Sequence, residues 1–270
     1  MTQEYLDHVK EETYAQILRL KTQWGYGRWS RPVAEAIATT AAIDAVAIAE
    51  KHPLYKRSVG EEEIPKILHR IWVGGAPLPR RYEEWWEDFK ELNPGWTFVT
   101  HLDASALLED DVIAACKAPA QLADILRLAV LEQYGGVYVD CDTRPLKSLD
   151  SLLVTDAFAG YEHGTGLGKR TVVPNAILGA VAHHPAISAS VDLAISRLPG
   201  PVWWAGPGAT SVMLQHREDV TLMPPDAFYP VHWKGEWLPK AEAVTAENHP
   251  GTFVVSYYGT SWNENKRTEL

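Results

Sequence analysis

The spacing of hydrophobic and polar positions changes several times along the chain, and each change marks an element. Near the start, Leu6, Val9, Thr13, Ile17 and Leu20 recur every three or four residues, which predicts an amphipathic helix. Ser30-Arg31-Pro32 supplies a capping residue and a first-turn proline ahead of an alanine-rich helix that runs to Lys51. The polar stretch HPLYKRSVGEEE then reads as a linker, so residues 1–60 form an N-terminal helical segment and 61–270 the main domain. From Ile64 the period shortens. Ile67, Leu68, Ile71, Trp72 and Val73 predict a first strand broken by Gly74-Gly75, with Pro65 where a strand can begin. A helix from Tyr82 to Leu92, a turn at Asn93-Pro94-Gly95 and a strand from Trp96 to His101 follow. Strand, helix, strand opens a doubly wound α/β sheet.

The stretch from Ala123 to Leu149, ADILRLAVLEQYGGVYVDCDTRPLKSL, organises the rest. Leu122, Ile125, Leu126, Ala129 and Val130 predict the buried face of a helix that ends at Tyr134. The chain turns on Gly135-Gly136 and enters the core as the strand Val137-Tyr138-Val139. Asp140 and Asp142 then sit at the strand's C-terminal end, the edge where open α/β sheets bind ligands. In an extended chain, residues two apart point the same way, so the carboxylates should converge and call for a cation or a proton. Hard oxygen ligands with open positions suit Mg²⁺ or Mn²⁺ shared with a diphosphate. On its own such a pair is more often a turn or a solvated loop. Asp124 and Arg127, three apart on the helix, would on their own read as a surface ion pair.

Composition narrows the classes. At 270 residues and 46% hydrophobic content the chain can bury one ordinary domain plus an appendage. A formal net charge of −10, with no basic stretch interleaved with aromatics, argues against a nucleic-acid partner. Two cysteines make no disulfide framework, and reduced thiols in a cytoplasmic protein are expected. Cys141 should point away from its flanking aspartates and pack. The polar start and the interruption of the longest apolar run by Asp44 exclude a signal peptide or a spanning helix on this reading.

Further along, a strand around Ala157 to Tyr161 is expected, and HGTGLGKR reads as a loop because it lacks the strand-to-helix context of a phosphate cradle. His69 should be a satisfied core histidine. His183 and His184 lack metal-ligand spacing and precede Pro185, where a helix should begin. FYPVHW at 228–233 is expected to be structural.

DILRLAVLEQYGGVYVDCDTRPL closely resembles the D-x-x-R…Y-G-G-x-Y-x-D-x-D block of the family 32 glycosyltransferases, and is similar to the catalytic domain of the large clostridial glucosylating toxins. IPKILHRIWVGG resembles the opening of both groups, and VVPNAILGAVAHHPAI the N-x-x-x-G-A-x-x-x-H-P segment of the former. WWAGPGATSVML resembles a G-P segment that leads from a strand into a helix, where Gly206-Pro207-Gly208 would let a substrate approach. At SYYGTSWNENK, Ser256 and Tyr257 replace the histidines of family 32, one of which would be a metal ligand, and the segment is more toxin-like.

This resemblance, over about residues 64 to 263, implies a GT-A fold. That is a Rossmann-like α/β fold with a mixed, mostly parallel sheet flanked by helices, here with an N-terminal helical extension. It implies a metal-dependent, retaining hexosyltransferase that uses Mn²⁺ or Mg²⁺ and a nucleotide-sugar, a UDP-sugar by the toxin likeness. Asp140, Asp142 and Thr260 would hold the metal, Ser261 and Asn263 being neighbouring alternatives to Thr260. Trp72 would stack on the base and Tyr138 line the nucleotide site. Asp124, Arg127 and Asn175 would meet the donor sugar, and Trp262 would donate its indole N–H to the diphosphate. The acceptor stays open among a polysaccharide precursor, a small metabolite and a protein. Hydrolysis of the same donor, or a non-catalytic nucleotide-sugar-binding module, are the other readings.

Overall fold

The computed structural model describes residues 1–23, 31–57, 63–162, 172–232 and 237–258. Helices α1 (Gln3–Gln23) and α2 (Arg31–Lys51) come first, then β1 (Ile67–Ile71), α3 (Arg80–Leu92) and β2 (Thr97–His101). The short α4 (Asp110–Ala115) leads to α5 (Pro119–Tyr134), β3 (Gly136–Val139) and β4 (Thr143–Pro145). Then come β5 (Ala157–Gly160), β6 (Ile177–Ala180), α6 (Pro185–Ser196), α7 (Val202–Ala205) and α8 (Pro207–Leu214). The chain closes with β7 (Thr221–Met223), α9 (Pro225–Phe228), α10 (Trp237–Ala243) and β8 (Val254–Ser256).

Six strands form one sheet in the order β2-β1-β3-β6-β5-β7, and β4 pairs with β8 as a separate ribbon. Every neighbour pair in the large sheet is parallel except the two made by β6, which runs against β3 and β5. This is the mixed, mostly parallel, helix-flanked sheet that the likeness to GT-A enzymes implies. The first predicted strand is two residues shorter than expected, because the chain leaves the ladder after Ile71 and Trp72 only donates its N–H to His101 O at 2.9 Å.

Between α5 and β3 the local sequence dictates the path. Gly135 and Gly136 both have positive φ, and a Cβ on Gly136 would lie 2.6 Å from Ile67 O. Only glycine lets β3 come this close to β1 directly after a helix. Helix α5 is buried along most of its length, from Gln121 through Leu131, so it is the central helix of the domain.

The N-terminal helices share the main core. Tyr5 and Val9 of α1 and Ala45 and Ala49 of α2 join the cluster that holds Ile125, Leu128 and Tyr138. Tyr5 Oη donates to Met213 O at 3.0 Å and Gln16 Nε2 to Gly208 O at 3.0 Å. Along α2 the buried residues are Ala34, Ala38, Ala42, Ala45 and Ala49, a stripe at helical spacing. By length and composition Pro32–Lys51 is apolar enough to cross a membrane, so Asp44 does not exclude a span as the sequence reading held. Here its alanine stripe is packed.

Candidate active site

Strands β1 and β3 end side by side. Leu68 pairs with Val137 and His69 with Tyr138, so Trp72 follows one strand end and Asp140 the other. Cys141 Sγ donates to Ile71 O at 3.3 Å and packs against the cluster that holds Tyr82, Trp85 and Tyr257, as a packing cysteine should. Trp72 is half-buried, its indole Nε1 fixed to Ala76 O at 2.6 Å and its ring edge-on to Tyr82 at 6.2 Å.

The aspartates do not lie on an extended strand. Asp140 N still bonds to Ala176 O at 2.8 Å, but Thr143 N donates back to Asp140 O at 3.2 Å, closing a turn over Asp140-Cys141-Asp142. The chain turns because β4 leaves the large sheet to pair with β8. Alternation along a strand therefore does not orient the two carboxylates. Asp142 is instead held through its backbone, whose carbonyl accepts from Tyr257 N at 3.0 Å. The end of β8 thus lies against the acidic turn. Ser256 is in the β4–β8 ladder, and the Tyr257 ring is buried against Trp85, 4.5 Å between centroids, with Arg144 Nε donating to its hydroxyl at 3.1 Å.

Behind the turn runs a buried polar chain. Asp140 Oδ1 accepts from Arg127 Nη1 at 2.8 Å and from the Tyr138 hydroxyl at 2.7 Å. Arg127 Nη1 also donates to Asn175 O at 2.9 Å, its Nε to Ala123 O at 3.1 Å, and its Nη2 lies 3.0 Å from Asp124 Oδ1. Asn175 Nδ2 closes the loop on Asp124 Oδ1 at 2.9 Å. With Arg127 5% and Asp124 8% exposed, this is no surface ion pair. Charges so far from water persist only when paired and hydrogen-bonded, and here every nitrogen of the guanidinium has an acceptor. Burial pushes the Asp124 carboxyl up to about 6 against the pull of Arg127 and Asn175. Arg127 is held protonated, because Asp140, Tyr138 and Asp124 outweigh its own burial. Tyr138 is wholly in the core beneath that guanidinium, 4.7 Å from its ring, and braces Asp140 from inside.

Gly206 has a different task from the one expected of it. A Cβ there would lie 2.4 Å from Asp124 Oδ2, so the missing side chain makes room for the Asp124 carboxylate, not for a substrate. Nor does a strand lead into this segment, since α7 precedes Gly206 and α8 follows it. His69 is 2% exposed and bonded to Gly135 O at 3.1 Å and His101 Nε2 at 3.0 Å, a satisfied core histidine, and burial lowers it to about 4. His184 caps α6 by accepting from Ala186 N at 3.2 Å, and burial likewise lowers it to about 4.

Sequence reasoning missed three neighbours of the turn. Tyr229, in the segment expected to be purely structural, is buried, and its phenol is raised by burial and by the charges of Asp140 and Glu162. Burial pushes the Glu162 carboxyl up to about 7, with the Tyr258 hydroxyl pulling the other way. The Tyr229 and Tyr258 rings are 6.4 Å apart.

Among the described residues no three His, Cys, Asp or Glu side chains gather as a metal cage. The donor set consists of two partly exposed carboxylates, with both Asp140 bonds falling on Oδ1. Few, hard, open oxygen ligands fit a divalent cation that shares its coordination with phosphate oxygens. Thr260, Ser261, Trp262 and Asn263 lie outside the described residues, as does HGTGLGKR.

The acidic turn lies at the C-terminal edge of a mostly parallel sheet, the edge where open α/β sheets bind ligands, and is braced from behind by a buried arginine. Residues 46–159 match the family described as glycosyltransferase sugar-binding region containing DXD motif, a span that includes Asp140-Cys141-Asp142. The match begins inside α2 and ends in β5, so Asn175 and all later site residues lie beyond it. Over 130 residues the chain is 30% identical to a mannosyl phosphorylinositol ceramide synthase of Saccharomyces cerevisiae, covering 45% of this chain and 32% of the relative. It is 26% identical over 190 residues to the mouse (Mus musculus) lactosylceramide 4-alpha-galactosyltransferase, covering 62% and 50%. The chain thus spans about a third to a half of the length of these relatives. Among solved structures, the PaToxG glycosyltransferase superposes with a TM-score of 0.47 at 23% identity, covering 67% of this chain and 76% of that one.

Proposed function

We propose that this protein is a metal-dependent, retaining glycosyltransferase that moves a hexose or N-acetylhexosamine from a UDP-sugar to an acceptor hydroxyl. The observation that carries the reading is the buried chain Asn175–Asp124–Arg127–Asp140 aimed at a D-x-D turn. Such rigidity is what a site needs when its task is to hold charge in place while a leaving group departs.

The barrier is loss of a diphosphate from the anomeric carbon. Asp140 and Asp142 would hold Mn²⁺ or Mg²⁺, which when bound supplies positive charge to the leaving oxygens. Arg127, locked by its acceptors, fixes the Asp140 carboxylate, and Tyr138 fixes the same oxygen from the strand side. Trp72 at the end of β1 offers a half-buried ring for the base. Thr260 is our third metal ligand and Trp262 our donor to the diphosphate, both by likeness to the toxins. The retaining course and the choice of UDP rest on that likeness too. Residues 61–270 form the catalytic unit, with α1 and α2 as an integral flank through Tyr5 and Gln16. Both cysteines are free, which supports a reducing, cytoplasmic location.

The test is UDP release from a panel of UDP-sugars with and without Mn²⁺, with product analysis in the presence and absence of an added acceptor. Metal-dependent release that Asp142→Asn abolishes supports the reading, whereas full activity of that variant in excess Mn²⁺ overturns it. Free sugar as the sole product under every acceptor condition would instead make the protein a hydrolase.

A further inference from the structure

Helix α1 reaches the candidate site through α8. Its polar side chains end on the backbone of that helix: Tyr5 Oη donates to Met213 O at 3.0 Å, His8 Nε2 lies 3.2 Å from Ser211 O, and Gln16 Nε2 donates to Gly208 O at 3.0 Å. Gln16 differs from the other two in its burial, being 1% exposed where His8 is partly open, and in its place at the start of α8 where Tyr5 meets the end. Its Nε2 is also steadied by Glu12 Oε1 at 3.3 Å, and among the described residues its buried Oε1 has no hydrogen-bond partner. Packing alone would favour an apolar side chain of similar size, which has no amide to desolvate. What the amide adds is a directional bond to one atom, the Gly208 carbonyl oxygen.

Gly208 belongs to the first turn of α8, and that turn bears on both Asp124 and Asn175. Gly206 O accepts from Ala209 N at 2.9 Å and from Thr210 N at 3.3 Å, so residues 206–210 are tied into one unit. At its start Gly206 lies against the Asp124 carboxylate, with no space for a Cβ. At its end Thr210 Oγ1 donates to Val173 O at 2.7 Å, and Ser211 Oγ accepts from Val173 N at 3.0 Å. These bonds pin the chain two residues before Asn175, whose Nδ2 donates to Asp124 Oδ1 at 2.9 Å. The acidic turn is held from elsewhere: the Asp140 carboxylate by Arg127 and Tyr138, and the Asp142 backbone by Tyr257.

We infer that Gln16 is a positioning residue for the donor sugar: it sets the first turn of α8, and through that turn Asp124 and Asn175, while the cation and diphosphate side is left to α5 and β3. The inference rests on the proposed transferase function and on the family resemblance by which these two residues meet the sugar. Small displacements suffice, since a misplacement of about 1 Å far from the chemistry can cost on the order of 100-fold. Tyr5 grips α8 at Met213, five residues beyond Gly208, and supplies stability without reaching the Asp124–Asn175 pair.

Titration calorimetry of the full chain with UDP and with UDP-glucose, UDP-galactose and UDP-N-acetylglucosamine, all in Mn²⁺, tests it. Gln16→Met keeps a similar volume and removes the bond to Gly208 O. It should weaken the best-bound UDP-sugar about tenfold and leave UDP affinity unchanged. Thr210→Val cuts the link to Val173 O and should weaken the same UDP-sugar selectively, so the inference stays testable if the glutamine variant fails to fold. Tyr5→Phe should melt at a lower temperature and bind every ligand as the wild type does. Equal weakening of UDP and UDP-sugar would make Gln16 a support of the whole site and overturn the inference. Wild-type UDP-sugar affinity in both the Gln16 and the Thr210 variants overturns it as well, as does an equal selective loss in Tyr5→Phe. A wild type that binds neither UDP nor any of the UDP-sugars overturns the transferase reading, and this inference with it.

Discussion

Arg127 and Asp140, thirteen positions apart in the chain, meet at 2.8 Å where the buried face of α5 backs onto the end of β3. The contact joins the core of the protein to its acidic turn, so a change at either residue should be felt in both stability and metal use. Replacing Arg127 by Met would leave the buried Asp124 carboxylate without its countercharge and Asp140 Oδ1 with the Tyr138 hydroxyl as its remaining donor, and should cost about 3–5 kcal/mol in urea unfolding. Arg127→Lys keeps the charge but not the fork. It should fold and need about 10–100-fold more Mn²⁺ for half-maximal UDP release.

Tyr138→Phe removes the second bond to Asp140 and leaves the ring packed. The loss of stability should be about 0.5–1.5 kcal/mol. Metal activation should weaken in the same direction as in Arg127→Lys, and an unchanged Mn²⁺ response would show that the hydroxyl does not help place the carboxylate.

Gly206→Ala puts a methyl group 2.4 Å from Asp124 Oδ2 and 2.5 Å from its Cγ. The buried carboxylate has to give way, so overpacking should cost about 1–3 kcal/mol. Because Asp124 must shift, donor turnover should fall even under conditions where the variant is folded. Wild-type turnover in folded Gly206→Ala would detach Asp124 from the reaction.

Acid should act through His69. Its pKa is depressed to about 4 by burial, so the neutral ring stabilises the fold fully above pH 6.5, and that contribution is lost as pH falls toward 4. Asp124, raised to about 6, contributes with the opposite sign over nearly the same window, its share fading as pH rises from about 4 to 6. His184, likewise lowered to about 4, and Glu162, raised to about 7, act over the same range, so the wild-type profile alone does not isolate His69. The stability difference between wild type and His69→Gln removes the Asp124 share, and should shift against the wild type by on the order of 3 kcal/mol between pH 6.5 and 4. Urea midpoints across that range measure it, and a pH-independent difference would mean that His69 is not held neutral.

The path from α5 through Gly135-Gly136 into β3 and on to the D-x-D turn was legible because it is local. Helical periodicity, a glycine pair and a β-branched run each act over a few residues, and the sequence reading placed α3, α5, β2, β3 and the start of α6 close to where they lie. The same local argument misjudged the turn itself. Asp140 to Asp142 were expected to follow the strand's alternation, yet β4 must leave for β8, more than a hundred residues later in the chain, and the backbone bends to reach it.

What the sequence by itself determined is therefore the set of parts: a helical lead, an α/β core, and an acidic pair behind a glycine turn with Asp124 and Arg127 about three and two turns before the end of a helix. Only the tertiary structure decided that Arg127 faces Asp140, that Gly206 makes room for Asp124, that β6 runs antiparallel within the sheet, and that Tyr229 and Tyr257 close on the turn. These contacts join residues from thirteen to more than a hundred positions apart. They are selected by which buried charge finds an acceptor and which backbone can approach it, and no periodicity in the chain records that.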